Sequence, residues 1–231
     1  MTLDRALSRA GIASRTVARG IIASGRIQVE GRRLTDPDAW VEPARQRITL
    51  DGKPLSRPRP LYLALHKPTG VITSHGDPDG RKTIYDLVGP QPSWYFPIGR
   101  LDQDTSGLLL LTNDSVFAER IANPVSKVTK TYRVCVEPPP TESQIERLRQ
   151  GLDIGRGEHT APARVRPERA ATAASLWLEL EIKEGKNRQI RRMMEALGLK
   201  VVALERIRIG KLALGNLVPG AVRPFKPETV L

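Results

Sequence analysis

The feature that most constrains the fold is the run Leu108-Leu109-Leu110-Leu111. A strand with one face in water alternates apolar and polar residues, so an unbroken apolar run that ends in a turn predicts a strand covered on both faces. Thr112 and the turn-forming pair Asn113-Asp114 close it. The polar stretch "GRLDQDTSG" (99–107) leads into the run and carries two aspartates. Asp102, flanked by Arg100 and a Ser-Gly step, is therefore placed on a tight loop at the edge of a core, where a carboxylate either caps the loop or takes part in chemistry.

With 231 residues the chain can build one sizeable core, or a medium domain with a small companion. Thirty-seven basic residues against twenty-five acidic ones leave a net charge of +12. That excess costs self-repulsion and points to a polyanionic partner, above all nucleic acid. No apolar run approaches the roughly 20 residues that span a bilayer, and "MTLDRALSRAG" lacks the apolar segment of a signal peptide, so a cytoplasmic protein is expected. The single cysteine, Cys135, lies in the alternating stretch "YRVCVE" and is expected to be a buried thiol. With only His66, His75 and His159 beside it, no Cys/His zinc set can be assembled, and no metal is expected.

Two units are predicted. Leu3, Ala6, Leu7 and Ala10 recur at helical spacing after Thr2, and a second helix starts after Ser14, turns Ala18, Ile21 and Ile22 inward and ends near Gly25. Weak strand signals, "IQVEG" and "RITLDG", follow. Within the first 35 residues seven arginines face only Asp4 and Glu30, and Arg15 and Arg19 share one helix face as a candidate phosphate reader, with Arg26 nearby. "GKPLSRPRP" (52–60) reads as a proline-stiffened linker, which divides the chain into residues 1–58 and 59–231. Beyond it, "LYLAL", "LLLLT", "KTYRVCVE", "SLWLELEI" and "KVVALERIRI" read as strands, with helices at about 115–122, 141–151 and 187–197. The absence of a regular βαβ alternation predicts an α+β fold with a mixed, mainly antiparallel sheet flanked by helices.

The last of these helices has Asn187 as its expected cap, a core stripe of Ile190, Met193, Met194 and Leu197, and Gly198 as its stop. Its polar face carries Arg188, Arg191 and Arg192. Arginines in a first turn oppose the helix dipole, so an anion is expected to compensate them.

Three segments, "GRLDQDTSGLLLLTND" (99–114), "KTYRV" (130–134) and "EGKNRQIRRM" (184–193), resemble in this order the motifs of the ribosomal RNA pseudouridine synthases of the RsuA/RluB/RluE/RluF group. "HKPTGVITS" (66–74) and "ERIRIG" (205–210) match its flanking pattern, so the likeness covers nearly all of residues 60–225. Residues 1–58 are similar to the small RNA-binding domain of ribosomal protein S-four. Ser115 stands where the group commonly has glycine after the Asn-Asp turn; in the first domain Thr16 replaces a usual basic residue and Glu30 a usual asparagine.

The resemblance implies isomerisation of a uridine in ribosomal RNA by Asp102, with Tyr132 against the base and Arg191 paired to the acid. Breaking and remaking a glycosidic linkage involves no redox step, so no cofactor is implied. Arg100, Lys130, Lys186, Arg188 and Arg192 are expected to contact phosphates around the site, and Arg15, Arg19 and Arg26 to hold flanking RNA. "KNRQIRRM" is closer to the large-subunit enzymes than to the small-subunit one. The expected state is a monomer, with no membrane partner. Two rival classes compete: a non-catalytic RNA-binding factor, which would be marked by a spoiled acid motif, and a glycoside hydrolase, which needs a paired carboxyl and a sugar-stacking surface that ten aromatic residues do not suggest.

Overall fold

The computed structural model describes residues 1–56 and 58–231. They divide into two compact units: Met1–Leu61 with residues 90–96 and 111–116, and the remainder.

In the first unit α1 (Leu3–Arg9) and α2 (Arg15–Ala23) precede four short strands, β1 (Ile27–Val29), β2 (Arg32–Leu34), β3 (Ile48–Leu50) and β4 (Lys53–Pro54). The strands form an antiparallel sheet in the order β2-β1-β3-β4. Its core gathers Leu3, Leu7, Ala18, Ile22, Ile27, Val41 and Ile48. Ser14 caps α2 by accepting from the Val17 amide, whereas the Thr2 hydroxyl donates to Asp4 at 2.6 Å and leaves the α1 backbone uncapped.

The predicted linker needs correction. Asp51 and Gly52 both adopt left-handed conformations, the turn that an Asp-Gly pair supplies to a two-residue hairpin, and so Lys53–Pro54 folds back on β3. Leu55 then packs on the core of this unit. Of the stretch 52–60, only Arg57 lies outside the described residues. Two later segments join the same unit through hydrogen bonds that charge and composition do not reveal: the Trp94 amide donates to Gly11 O at 2.8 Å, and the Asn113 amide group to Arg59 O at 2.8 Å.

The second unit is built on a nine-stranded sheet. In chain order its elements are β5 (Tyr62–Lys67), α3 (Ile84–Val88), β6 (Phe96–Pro97), β7 (Ser106–Thr112), α4 (Ser115–Ala122), β8 (Lys130–Glu137), α5 (Glu142–Gln150), β9 (Arg164–Thr172), β10 (Ser175–Ile182), α6 (Gln189–Glu195), β11 (Lys200–Ile209), β12 (Leu212–Ala213) and β13 (Val222–Pro224). The order is β13-β5-β7-β11-β8-β10-β9, with β12 on β11 and β6 on β7. β7 runs parallel to β11, while β8, β9 and β10 pair antiparallel, as do β8 and β11. The fold is thus α+β with a mixed, mainly antiparallel sheet. The leucine run occupies β7 between β5 and β11, and all four side chains are fully buried. Val134, Leu148, Leu178, Met193 and Met194 form the main core between the sheet, α5 and α6.

β9 was not legible in the sequence. It is an edge strand with nearly every residue exposed, so it lacks alternation and tolerates Pro167. At the crossing of β7 and β11, Gly107 has φ +108° and pairs with Arg206; a Cβ there would collide with the Arg206 backbone. Only glycine lets the acid loop and β11 approach so closely.

Candidate active site

Asp102 lies in a turn closed by the Thr105 amide donating to the Asp102 carbonyl at 3.1 Å. The turn is strapped to the segment after β5. The Thr73 hydroxyl donates to Leu101 O at 2.8 Å and accepts from the Leu101 amide, and the Gly70 amide donates to Gln103 O at 2.8 Å. Leu101 and Thr105 are buried on either side, while the Asp102 side chain stays 35% exposed. A rigid loop thus presents one accessible carboxylate.

Opposite it is the start of α6. Asn187 does not cap this helix: Arg188 holds the cap position with φ +46°, and the Gln189 side chain accepts from the Lys186 amide instead. A left-handed arginine costs about 1 kcal/mol or more, and here the conformation carries its guanidinium to the two acids. Arg188 lies 3.5 Å from Asp102 and 3.2 Å from Asp104. The expected pair of Asp102 with Arg191 is not formed. Arg191 donates from Nη2 to Asp104 O at 2.8 Å, and its Nε lies 3.2 Å from the Asp104 carboxylate without hydrogen-bond alignment. Both arginines thus meet Asp104, and of the two only Arg188 also reaches the Asp102 carboxylate. Burial draws the Arg191 guanidinium below its usual range, with Asp104 opposing it, Arg188 adding to the fall and Asp102 opposing it in turn.

Asp102, Arg188 and Arg191 line a cavity of about 490 Å³, together with Arg100, Lys130, Tyr132, Lys186 and Arg206. That volume suits a small ligand or a single extruded nucleoside. Tyr132 packs on the main core, and its hydroxyl has no hydrogen-bond partner among the described residues. Two cations escaped the sequence reading of site residues. Lys67 is fully buried and donates to Val71 O at 2.6 Å and Pro68 O at 3.0 Å. Burial lowers its ammonium to about 8, against the pull of Asp104 and Asp102 and with a further push from Arg206. Arg206, on β11, is buried and donates from Nε to Leu108 O at 2.7 Å. Both lie within stretches that matched the family pattern, Lys67 in "HKPTGVITS" and Arg206 in "ERIRIG".

A family model described as RNA pseudouridylate synthase matches residues 61–196, and the S4 domain model matches residues 1–43. The chain belongs to the RNA pseudouridylate synthase family. It is 38% identical to the ribosomal large subunit pseudouridine synthase B of Bacillus subtilis, over 99% of this chain and 93% of that protein. It is 32% identical to the ribosomal small subunit pseudouridine synthase A of Salmonella typhimurium, over 100% and 98%. A crystal structure of a pseudouridylate synthase superposes with a TM-score of 0.71 at 28% identity, covering both chains fully.

For this synthase the remaining basic residues separate into free and committed groups. Arg100 is exposed at the cavity, and Lys186 lies only 3.8 Å from Glu184. Arg192 corrects the expectation of a phosphate contact. Its guanidinium is bound to Glu158, Ile154 O and Gly155 O, its side chain is 11% exposed, and it does not line the cavity. It clamps the loop after α5 to α6.

In the S4 domain Arg15 donates to Asp4 at 2.9 Å, Arg19 reaches Asp4 and pairs with Asp38 at 2.8 Å, and Arg26 forks onto Asp51. Burial works to raise the Asp4 carboxyl, but Thr2, Arg15 and the helix backbone together hold it below the usual range. The expected basic face is therefore largely neutralised within the protein, by Asp38 and Asp51 beyond the first 35 residues. Arg32, Arg33 and Arg47 are exposed and carry no ion pair among the described residues. Among those residues no helix is long and apolar enough to cross a membrane.

Proposed function

We propose that this synthase converts one uridine of ribosomal RNA, in the large subunit, to pseudouridine, with Asp102 as the essential carboxylate. The observation that carries this reading is a cavity lined by an accessible, rigidly held Asp102 together with Tyr132, Arg188 and Arg191. Attack on the sugar, addition to the base and removal of a sugar proton each use the Asp102 carboxylate, and the Arg188 guanidinium lies 3.5 Å from it. Tyr132 flanks the uracil and limits its motion while the base turns. Arg191 fixes the acid loop through Asp104. No electron transfer enters the isomerisation, so the chemistry calls for no cofactor.

A uridine within a helix must leave its stack to enter such a cavity, at about a few kcal/mol. Arg100 and Lys186 at the cavity offset that cost by meeting phosphates, and Arg32 and Arg33 of the S4 domain, with Arg47 of the same compact unit, hold flanking RNA. The assignment to the large subunit is supported by the full-length likeness to the B. subtilis large-subunit enzyme and by "KNRQIRRM"; the small-subunit relative supports the coarser class, ribosomal RNA. The test is a pseudouridine map of both ribosomal RNAs from cells with and without the gene. Loss of one large-subunit pseudouridine is expected; unchanged maps would reject ribosomal RNA as the substrate.

A further inference from the structure

The floor of the cavity holds more positive charge than the protein compensates. Arg206 stands opposite Tyr132 in the β8–β11 register, so both side chains project from one face of the sheet, and Lys130, two residues before Tyr132, shares that face. All three line the cavity. Arg206 is buried, with a relative exposure of 5%, yet among the described residues its only hydrogen bond runs from Nε to Leu108 O, and its buried Nη2 finds no acceptor. A buried guanidinium without a carboxylate is costly, and a neutral donor would serve Leu108 as well. Lys130 has one long contact, 3.4 Å to Ile121 O, and no ion pair among the described residues. Burial lowers its ammonium, and Arg206 lowers it further. Two cations thus press on each other across a space into which the substrate base would enter.

We propose that Arg206 and Lys130 are catalytic residues that hold the uracil by its carbonyl oxygens and stabilise it as the departing anion. This deepens the pseudouridine reading and rests on it. When the C1′–N1 bond breaks, its electron pair leaves with N1 and spreads over the two carbonyl oxygens of the base. Asp102 meets the electron deficiency on the sugar, by bonding to C1′ or by taking the C2′ proton. After the base turns, a pair from C5 forms the C1′–C5 bond as the Asp102–C1′ bond breaks, or as the proton held by Asp102 returns to C2′; C5 then loses its proton and N1 gains one, so the sum is an isomerisation without a co-reactant. Cations in a water-poor site act most strongly where charge develops, and Nη2 of Arg206, unpaired among the described residues, is the donor offered to a carbonyl oxygen of that anion.

The test uses the full chain and transcripts of large- and small-subunit ribosomal RNA made with uridine or with 5-fluorouridine, whose base is a better-stabilised anion. Consumption of the target nucleoside is followed in single turnovers at saturating enzyme. Arg206→Gln is expected to slow the uridine reaction about a hundredfold, the usual loss for one such donor, and the fluorinated one by about tenfold or less. Arg206→Lys should recover part of the loss. Lys130→Gln, which removes no strong hydrogen bond, should show the same bias and guards against a folding defect in the Arg206 variants. Equal losses on both transcripts, rates within twofold of the parent, or a loss confined to RNA affinity would overturn the proposal. If the unaltered chain consumes uridine in neither transcript, the ribosomal RNA reading itself fails, which is a different result.

Discussion

Lys67 provides a quantitative test of the electrostatics beneath the acid loop. Its ammonium is fully buried and held at about 8, against about 10.4 for a free lysine. At about 1.4 kcal/mol for each tenfold change in proton affinity, keeping it charged in the folded state costs about 3 kcal/mol. The sign follows from which state holds the proton. Below pH 8 both states are charged and the penalty is constant. Between about pH 8 and 10.4 the folded chain has released a proton that the unfolded chain retains, so this group's contribution to stability rises with pH. Above that window both states are neutral and the penalty is gone. Lys67→Met removes the titration but strands the carbonyls of Pro68 and Val71, so its effect at pH 7 is the difference of two similar terms. The slope is free of that cancellation. Urea unfolding of both proteins at several values from pH 7 to 10.5 should show the parent gaining about 3 kcal/mol on Lys67→Met. Because Asp102 and Asp104 hold the ammonium up, Asp102→Asn should move the rise to lower pH. Parallel stability curves for the parent and Lys67→Met would refute the reasoning.

Arg188→Gly should be about 1 kcal/mol more stable than Arg188→Ala, since only glycine adopts its left-handed backbone freely; equal urea midpoints would contradict the strain. Each substitution removes the cation nearest Asp102, and both should slow single turnover at saturating RNA. In the S4 domain, Arg32→Ala with Arg33→Ala should flatten the plot of log affinity against log salt by up to about two units, whereas Arg26→Ala, already paired with Asp51, should leave the slope unchanged. A flattening by Arg26→Ala would show that the pair opens on RNA. Tyr132→Phe should keep RNA affinity and lose rate if the phenol moves a proton; a full single-turnover rate would confine Tyr132 to stacking.

The leucine run, the α6 stripe and the strands of the main core were legible because burial on one or both faces leaves a period in the sequence. The edge strand β9 left none, and the Asp51-Gly52 hairpin was hidden by the prolines around it. At the site, Asp102, Tyr132, Arg100, Lys130, Lys186, Arg188 and Arg191 line one cavity. Which arginine meets which acid was not legible, because it depends on a left-handed residue at the start of α6 that breaks the helical phase. Arg192 shows the same limit from the other side. Its position on the polar face is as expected, but its partners lie 34 to 38 residues away in a loop no periodicity reports. Lys67 and Arg206 were missed as site residues because each sits in a strand whose sequence pattern is explained by the sheet alone.

The most direct test of the central claim is the Asp102→Asn protein incubated with ribosomal RNA under conditions where the parent forms pseudouridine. The amide keeps the size of the carboxylate but carries no charge, and the loop is held by Thr73 and Gly70 rather than by the Asp102 side chain, so the fold and RNA affinity should be nearly unchanged. Pseudouridine formation, measured by nuclease digestion and mass spectrometry, should be undetectable. Measurable turnover by a verified, uncontaminated Asp102→Asn protein would contradict the account.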